Sequence, residues 1–121
     1  MPHNISMGKR GEDETLRILK KNGYRILERN YRCRHGEVDI IAEDRGAIVF
    51  VEVKTRGSDR FGPPEQSVDL RKQRHIISVS NTYLAHYGLS DHPVRFDVVC
   101  VEVRGGRCYA QIIKDAFWDG G

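Results

Sequence analysis

Three side chains near the middle of the sequence have the chemistry of a hydrolytic site: Asp39, Glu52 and Lys54. Asp39 lies in an apolar run over residues 38–42, and Glu52 ends a second apolar run over residues 48–53, just before Lys54. Carboxylate oxygens suit the hard cations Mg²⁺ and Mn²⁺, which also accept the phosphate oxygens of a substrate. A nearby lysine can orient a water or neutralise developing negative charge. The three residues therefore predict metal-assisted hydrolysis of a phosphodiester.

A turn between the two apolar runs decides whether these groups meet. Gly46 can take the positive φ that a tight hairpin requires, so we expect Arg45-Gly46 to form a two-residue loop. In that register Asp39 lies opposite Glu52, because side chains alternate along each strand. The residues expected on the same face as these acids are Glu37, Ile41, Phe50 and Lys54. Those expected on the other face are Val38, Ile40, Val49, Val51 and Val53.

Two opposed carboxylates need a neutralising partner. At roughly 5 Å and an effective dielectric near 20 they repel each other by roughly 3 kcal/mol. A proton, a basic side chain or a cation relieves that repulsion. The alternative is a solvated Glu-x-Lys ion pair of little energetic consequence. Both strands are apolar until the charges appear, which indicates buried strands and favours the functional interpretation.

Glu12 is a further candidate for the site. Residues 7–22 predict a helix that ends at Gly23. Leu16 and Leu19 follow Glu12 at helical spacing, so we expect Glu12 to face the core with them. A carboxylate there requires a partner. It is either an additional metal ligand or water-binding group, or an acid stabilised by the helix dipole.

The remaining pattern completes an α/β protein. The other predicted elements are a strand over 24–33, a loop over 56–65, a helix over 66–87 and strands over 94–103 and 108–113. The order is α-β-β-β-α-β-β, a central mixed β-sheet flanked by helices. We expect residues 1–121 to form a single domain with loosely held ends over 1–5 and 115–121. Arg95 and Asp97 share a face of their strand and are expected to form a structural ion pair.

Basic residues bracket the acidic centre in the sequence, and the formal net charge is +3. They occur in the first predicted strand, in the long loop and at the start of the second helix, as in a surface that follows a phosphate backbone. The alternative is an ordinary solvated surface. The candidate nucleic-acid contacts are Arg32, Arg34, Arg56, Lys72, Gln73 and Arg74.

The cysteines and the hydropathy indicate a compartment. Cys33, Cys100 and Cys108 fit neither a CxxC pair nor a disulfide framework. We see no apolar signal segment and no stretch long enough to span a bilayer. The expected location is therefore the reducing cytoplasm, with no membrane partner.

Several strings in the sequence resemble the YraN-like family of bacterial proteins. They are Gly11-Glu12, Asn30-Tyr31-Arg32, residues 36–41, residues 50–56, Lys72-Gln73-Arg74 and residues 95–99. The resemblance implies a restriction-endonuclease-like fold of the PD-(D/E)xK superfamily, similar in layout to archaeal Holliday-junction resolvases. It matches Asp39 and Glu52 to metal-binding acids. It also matches Lys54 to the catalytic lysine and Glu12 to a helix-borne acid.

From the residues and the resemblance together, we expect a Mg²⁺- or Mn²⁺-dependent endonuclease that acts on DNA at branched or structured sites. A chain of this size has no separate recognition domain, so it is expected to read backbone shape rather than base sequence. Cutting both strands would require a homodimer. The alternatives are a non-catalytic nucleic-acid-binding or adaptor protein that retains the fold, and a structural protein whose acids form salt bridges only.

Overall fold

The computed structural model describes residues 3–57 and 68–118, with side chains described in those ranges apart from 3–10 and 56–57. Its elements are helix α1 (His3–Lys21), strands β1 (Arg25–Cys33), β2 (Gly36–Asp44) and β3 (Ala47–Gly57), helix α2 (Leu70–His86), and strands β4 (Val94–Arg104) and β5 (Arg107–Phe117). The predicted order α-β-β-β-α-β-β is confirmed.

The five strands form one mixed sheet in the order β1-β2-β3-β4-β5. Strands β3 and β4 are parallel, whereas the other neighbouring pairs are antiparallel. A parallel pair needs a crossover connection, and the chain segment that contains α2 provides it. The central mixed sheet flanked by helices that the sequence predicts is confirmed.

Each face of the sheet is covered by one helix. Helix α2 packs through Ile76 and Val79 on a cluster that includes Phe50. Helix α1 packs through Leu19 on a second cluster that includes Val51. Strands β2, β3 and β4 are therefore buried on both sides, which accounts for their nearly continuous apolar sequences.

Helix α1 approaches the sheet closely at Gly11. A Cβ at this position would lie 3.3 Å from Thr55 Oγ1 and 3.8 Å from Val101 Cγ1. The buried side of the helix continues four and eight residues later with Thr15 and Leu19. A small residue at Gly11 thus sets how α1 meets the end of β3.

The hairpin turn forms as predicted. Arg45 has a φ of 54° and Gly46 a φ of 87°, so both residues of the two-residue loop are left-handed. The pairs Asp44↔Ala47 and Ile41↔Phe50 confirm the expected register near the turn.

The ends of several elements differ from the predictions. Helix α1 begins at His3 rather than near residue 7, and α2 begins at Leu70 rather than near residue 66. Strand β5 continues to Phe117, so the loose end expected from residue 115 is wrong for residues 115–117. Phe117 is buried and stacks on Phe96, with 5.1 Å between the ring centroids, which holds the end of β5 on the core.

A buried polar network joins β2, β4 and β5 with Tyr24, the residue before β1. The predicted ion pair is confirmed, with Arg95 Nε 2.9 Å from Asp97 Oδ1. Arg95 also donates to Asp44 at 2.8 Å, and the hydroxyl of Tyr24 donates to Asp97 Oδ2 at 2.6 Å. The Asp115 N–H donates to Asp97 Oδ1 at 2.9 Å. Each buried carboxylate in this network thus accepts several hydrogen bonds, at least one of them from a donor on another strand.

Asp97→Asn is expected to lower the free energy of unfolding by about 3 kcal/mol, because the buried guanidinium of Arg95 loses a charged partner. Urea unfolding at pH 7 measures the change. The matched control is Asp91→Asn, at an exposed turn position, with an expected change within about 0.5 kcal/mol. Equal unfolding midpoints for the two variants would contradict the assignment of this network as a main source of stability.

Candidate active site

The site lies where β2 and β3 stop pairing. Their ladder ends at Ile40↔Val51, one position before Asp39 and Glu52. The expected cross-strand pair of these acids is therefore not part of the ladder. Asp39 Oδ2 instead accepts a hydrogen bond of 2.8 Å from the N–H of Val53. In a continued ladder that N–H would bond to the β2 backbone, so the carboxylate satisfies a donor that the strand end leaves open.

The alternation of side chains is also interrupted at Asp39. Val38 packs in the cluster beneath α2, whereas Ile40 packs in the cluster beneath α1. The prediction that these two residues share a face is therefore wrong. The facing position on β1 is Asn30, which is left out of the ladder and has a φ of 54°. Asparagine tolerates this left-handed conformation better than most residues do. Irregularities on both strands thus deflect Asp39 from regular alternation.

Asp39 and Glu52 flank the point where β2 and β3 stop pairing, and they do not lie on one face of the sheet. Glu52 forms an ion pair with Lys72 of α2, while Asp39 borders a cavity on the α1 side of the sheet. The two carboxyl groups nevertheless interact. Burial is the main cause that raises the pKa of each acid, and the negative charge of Asp39 raises the pKa of Glu52 further. The expected closeness of the acids is present, although the expected shared face is wrong.

Burial dominates the electrostatics of the pair. The Glu52 side chain is only 6% exposed. Burial, followed by the negative charge of Asp39, raises the pKa of Glu52 to about 7, while Lys72 and Lys54 act in the opposite direction. Burial also raises the pKa of Asp39, against the lowering effects of the Val53 N–H and of Lys72. Both shifts favour retention of a proton by the pair, unless a cation compensates the two charges.

Helix α2 contributes a lysine to this centre. Lys72 Nζ lies 3.5 Å from Glu52 Oε2. The start of the helix is held by Asp69, whose Oδ1 accepts from the Lys72 N–H at 2.9 Å. The Gln73 amide donates to the carbonyl of Val68 at 2.9 Å. Of the three residues of α2 expected to contact nucleic acid, Lys72 therefore faces an acid, and Gln73 bonds back to the residue before the helix cap.

Lys54 lies on β3 two positions after Glu52 and is half-buried. Its positive charge lowers the pKa of Glu52, although less than that of Lys72 does. The Glu-x-Lys spacing therefore places both groups on the α2 side of β3, since side chains alternate along a strand.

A cavity of about 180 Å³ opens beside Asp39, between α1, β1 and β3. Glu12 and Arg29 line it from opposite elements and form an ion pair at 3.3 Å. The prediction that Glu12 faces the core is wrong, because its side chain is 47% exposed. The buried side of α1 is instead centred on Thr15 and Leu19. Arg29 was not predicted as a site residue. The pairing of β1 with β2, which sets Arg29 opposite Ile40, places it beside this cavity.

The donor groups suit a hard divalent cation. Mg²⁺ usually keeps several waters and binds through one or two carboxylates together with substrate phosphate oxygens. Asp39 and Glu52 supply two such carboxylates, with one Asp39 oxygen already accepting the Val53 N–H. Among the described side chains, those of residues 11–55 and 68–118, no group of three or more His, Cys, Asp or Glu forms a fuller metal cage. The residues present therefore fit an ion that takes its other ligands from water and substrate.

The other predicted nucleic-acid contacts that the structure describes are exposed. Arg32 is exposed and forms an ion pair with Glu37 at 3.4 Å. Arg34 and Arg74 are also exposed. Arg56 lies in β3, but its side chain is outside the described part of the structure. No helix among the described residues is long and apolar enough to span a membrane.

Comparisons with known proteins identify relatives across most of the chain. Residues 11–101 match the model of the "Uncharacterised protein family UPF0102". A UPF0102 protein of Syntrophus aciditrophicus is 49% identical over 117 residues, covering 97% of this chain and 92% of the relative. One from Geobacter metallireducens is 45% identical over 115 residues, covering 95% and 94%.

A solved structure is also similar to this chain. It is the crystal structure of a repair endonuclease from Pyrococcus abyssi, with a TM-score of 0.48 and 24% identity. The match covers 78% of this chain and 39% of that chain. The sequence matches confirm the resemblance to the YraN-like family, and the protein belongs to the UPF0102 family.

Proposed function

We propose that the protein is a metal-dependent nuclease that hydrolyses phosphodiester bonds in DNA. The observation that carries the proposal is the interacting pair Asp39 and Glu52 at the end of the β2–β3 ladder. Burial and the charge of Asp39 raise the pKa of Glu52 to about 7. Acids with pKa values perturbed in this way are concentrated at functional sites. A divalent cation is the partner that lets both groups ionise together.

The positions of the residues support the following roles. Asp39 and Glu52 would hold Mg²⁺ or Mn²⁺, and the bound ion would supply Lewis acidity toward water and the phosphate. Lys54 lies on the same side of β3 as Glu52 and assists by orienting water or by neutralising charge on the phosphate. Glu12 lies across the cavity from Asp39, where its carboxylate can hold a water molecule. Its ion pair with Arg29 fixes that carboxylate near the site.

The exposed arginines around the site support nucleic acid as the substrate class. Arg32, Arg34 and Arg74 can contact phosphates without reading the bases. That the substrate is DNA with branched or structured sites is proposed from the resemblance to junction resolvases. Paired cleavage of two strands by this mechanism would use a homodimer.

Glu52→Gln and Lys54→Ala are each expected to reduce cleavage of DNA at least about 100-fold, because each removes a group from the reacting centre. The assay compares linear, flapped and four-way DNA in Mg²⁺ and in Mn²⁺. Glu102→Gln and Lys20→Ala are the matched controls, since Glu102 pairs with Arg104 on β4 and Lys20 is exposed on α1.

Two outcomes of this assay would contradict the proposed nuclease activity. Parent and site variants with identical cleavage would show that the activity arises elsewhere. Binding of DNA without cleavage, weakening steeply with salt, would instead favour the non-catalytic nucleic-acid-binding alternative.

The raised pKa of Glu52 predicts how stability depends on pH in the metal-free protein. Its ordinary value is 4.5 and its folded value is about 7. Between these values the folded state binds more protons than the unfolded state, so the free energy of unfolding falls as pH rises. At 1.36 kcal/mol per pH unit the fall is at most about 3 kcal/mol.

Urea unfolding at pH 4.5 and pH 8 with a chelator present measures this dependence. Glu52→Gln is expected to flatten it and to exceed the parent in stability at pH 8, because its amide carries no charge to bury. Glu102→Gln is the control and is expected to keep the parent slope. A parent slope that survives in Glu52→Gln would assign the effect to other groups.

A further inference from the structure

The ammonium group of Lys72 lies where a cation for the acidic pair would be expected. Its Nζ is 3.5 Å from Glu52 Oε2. The same charge acts on Asp39, whose pKa it lowers. Lys72 thus partly offsets the negative charge of both carboxylates of the proposed metal site from the side of helix α2.

The contact differs from a permanent buried ion pair. The side chain of Lys72 is 44% exposed, whereas that of Glu52 is 6% exposed. A lysine carries a compact charge on a flexible stem, and the single contact of 3.5 Å is longer than a strong charged hydrogen bond. The ammonium can therefore leave Glu52 for solvent without a backbone movement.

The backbone of Lys72 is held while its side chain is exposed. Asp69 accepts from the Lys72 N–H at 2.9 Å, and Gln73 donates to the Val68 carbonyl at 2.9 Å. One turn later Ile76 anchors the helix in the core. The base of the side chain is thus fixed beside the site, and only the stem has to move.

We propose that Lys72 is a built-in counter-ion that occupies the cation position at Asp39 and Glu52 until a phosphate draws it away. The inference rests on the proposed function, because it takes the two acids as the metal site. A cation already at Glu52 disfavours a divalent ion on the same carboxylate. A phosphate nearby offers the ammonium a new partner and frees the acid.

Metal binding and phosphate binding are then coupled. Each strengthens the other by the same factor, since coupling between two binding equilibria is reciprocal. The consequence is a nuclease that takes up its ion mainly when a nucleic-acid backbone is in place. If Lys72 only stabilised the fold, removing it would change stability but leave this coupling intact.

Titration calorimetry of Mn²⁺ into the full chain tests whether Lys72 weakens metal binding in the absence of DNA. Lys72→Met is expected to bind Mn²⁺ about tenfold more tightly than the parent without DNA, because a repelling charge is removed. Arg71→Met is the matched control, with the same loss of charge at an exposed position of the same helical turn. Its change is expected to stay below about threefold, since solvent screens exposed charges. Lys72→Arg keeps the charge and is expected to resemble the parent.

To test the coupling between metal binding and phosphate binding, the titration is repeated with short duplex DNA whose phosphorothioate linkages slow cleavage. In the parent and in Arg71→Met, DNA is expected to tighten Mn²⁺ binding at least about fivefold. In Lys72→Met the tightening is expected to be at least about twofold smaller than in the parent, and what remains comes from phosphate oxygens that bind the ion directly. Circular dichroism confirms folding, and Lys72→Gln replaces Lys72→Met if the latter is unfolded.

A further variant separates failure of this inference from failure of the proposed function. If Glu52→Gln binds Mn²⁺ as the parent does, the ion is not at this site, and both proposals fall. If Glu52→Gln loses Mn²⁺ binding while Lys72→Met and Arg71→Met behave alike, the metal site stands and the counter-ion role is overturned. Tighter Mn²⁺ binding in Lys72→Met alone supports it.

Discussion

The end of the β2–β3 ladder is the constraint on which the rest of the site depends. Up to Ile40 and Val51 the backbones of the two strands satisfy each other. One position further the pairing has stopped, and the Asp39 carboxylate accepts the N–H of Val53 in its place. The same break leaves room for Glu52 beside Asp39. A defect in hydrogen bonding thus brings two carboxyl groups together in a region of low dielectric, where each raises the cost of ionising the other.

The two ends of the β2–β3 hairpin handle buried acids in opposite ways. Asp44, next to the turn, is also buried, but its hydrogen bonds to Arg95 and Lys114 outweigh the effect of burial and hold its pKa below its ordinary value. At the other end the pKa of Glu52 is raised, because its cationic neighbours do not offset burial and the charge of Asp39. The first acid is compensated within the fold. The second is left dependent on a proton or a further cation, which distinguishes a candidate site from a structural ion pair.

Local sequence patterns predicted the parts of this arrangement that depend on local chemistry. The left-handed turn at Arg45-Gly46 sets the register, and apolar periodicity gives the strands and both helices. The deflection of Asp39 was not predictable in the same way, because it accompanies the left-handed Asn30 on a neighbouring strand. The exposure of Glu12 was missed because Gly11 lets a different side of α1 approach the sheet. Periodicity indicates that a helix has a buried side, but close packing decides its centre.

The counter-ions at the two ends of the hairpin also differ in kind. Arg95 is held by charged hydrogen bonds to two carboxylates and is only 19% exposed, so its guanidinium is part of the fold. Lys72 makes a longer contact from a fixed helix to one carboxylate and remains half in solvent. A planar guanidinium suits a permanent multidentate site, whereas an ammonium on a flexible stem suits exchange between partners. The type of cation therefore agrees with the directions of the pKa shifts. Arg95 is a fixed positive charge within the stable fold, whereas Lys72 is an exchangeable positive charge beside the acids that we propose bind metal.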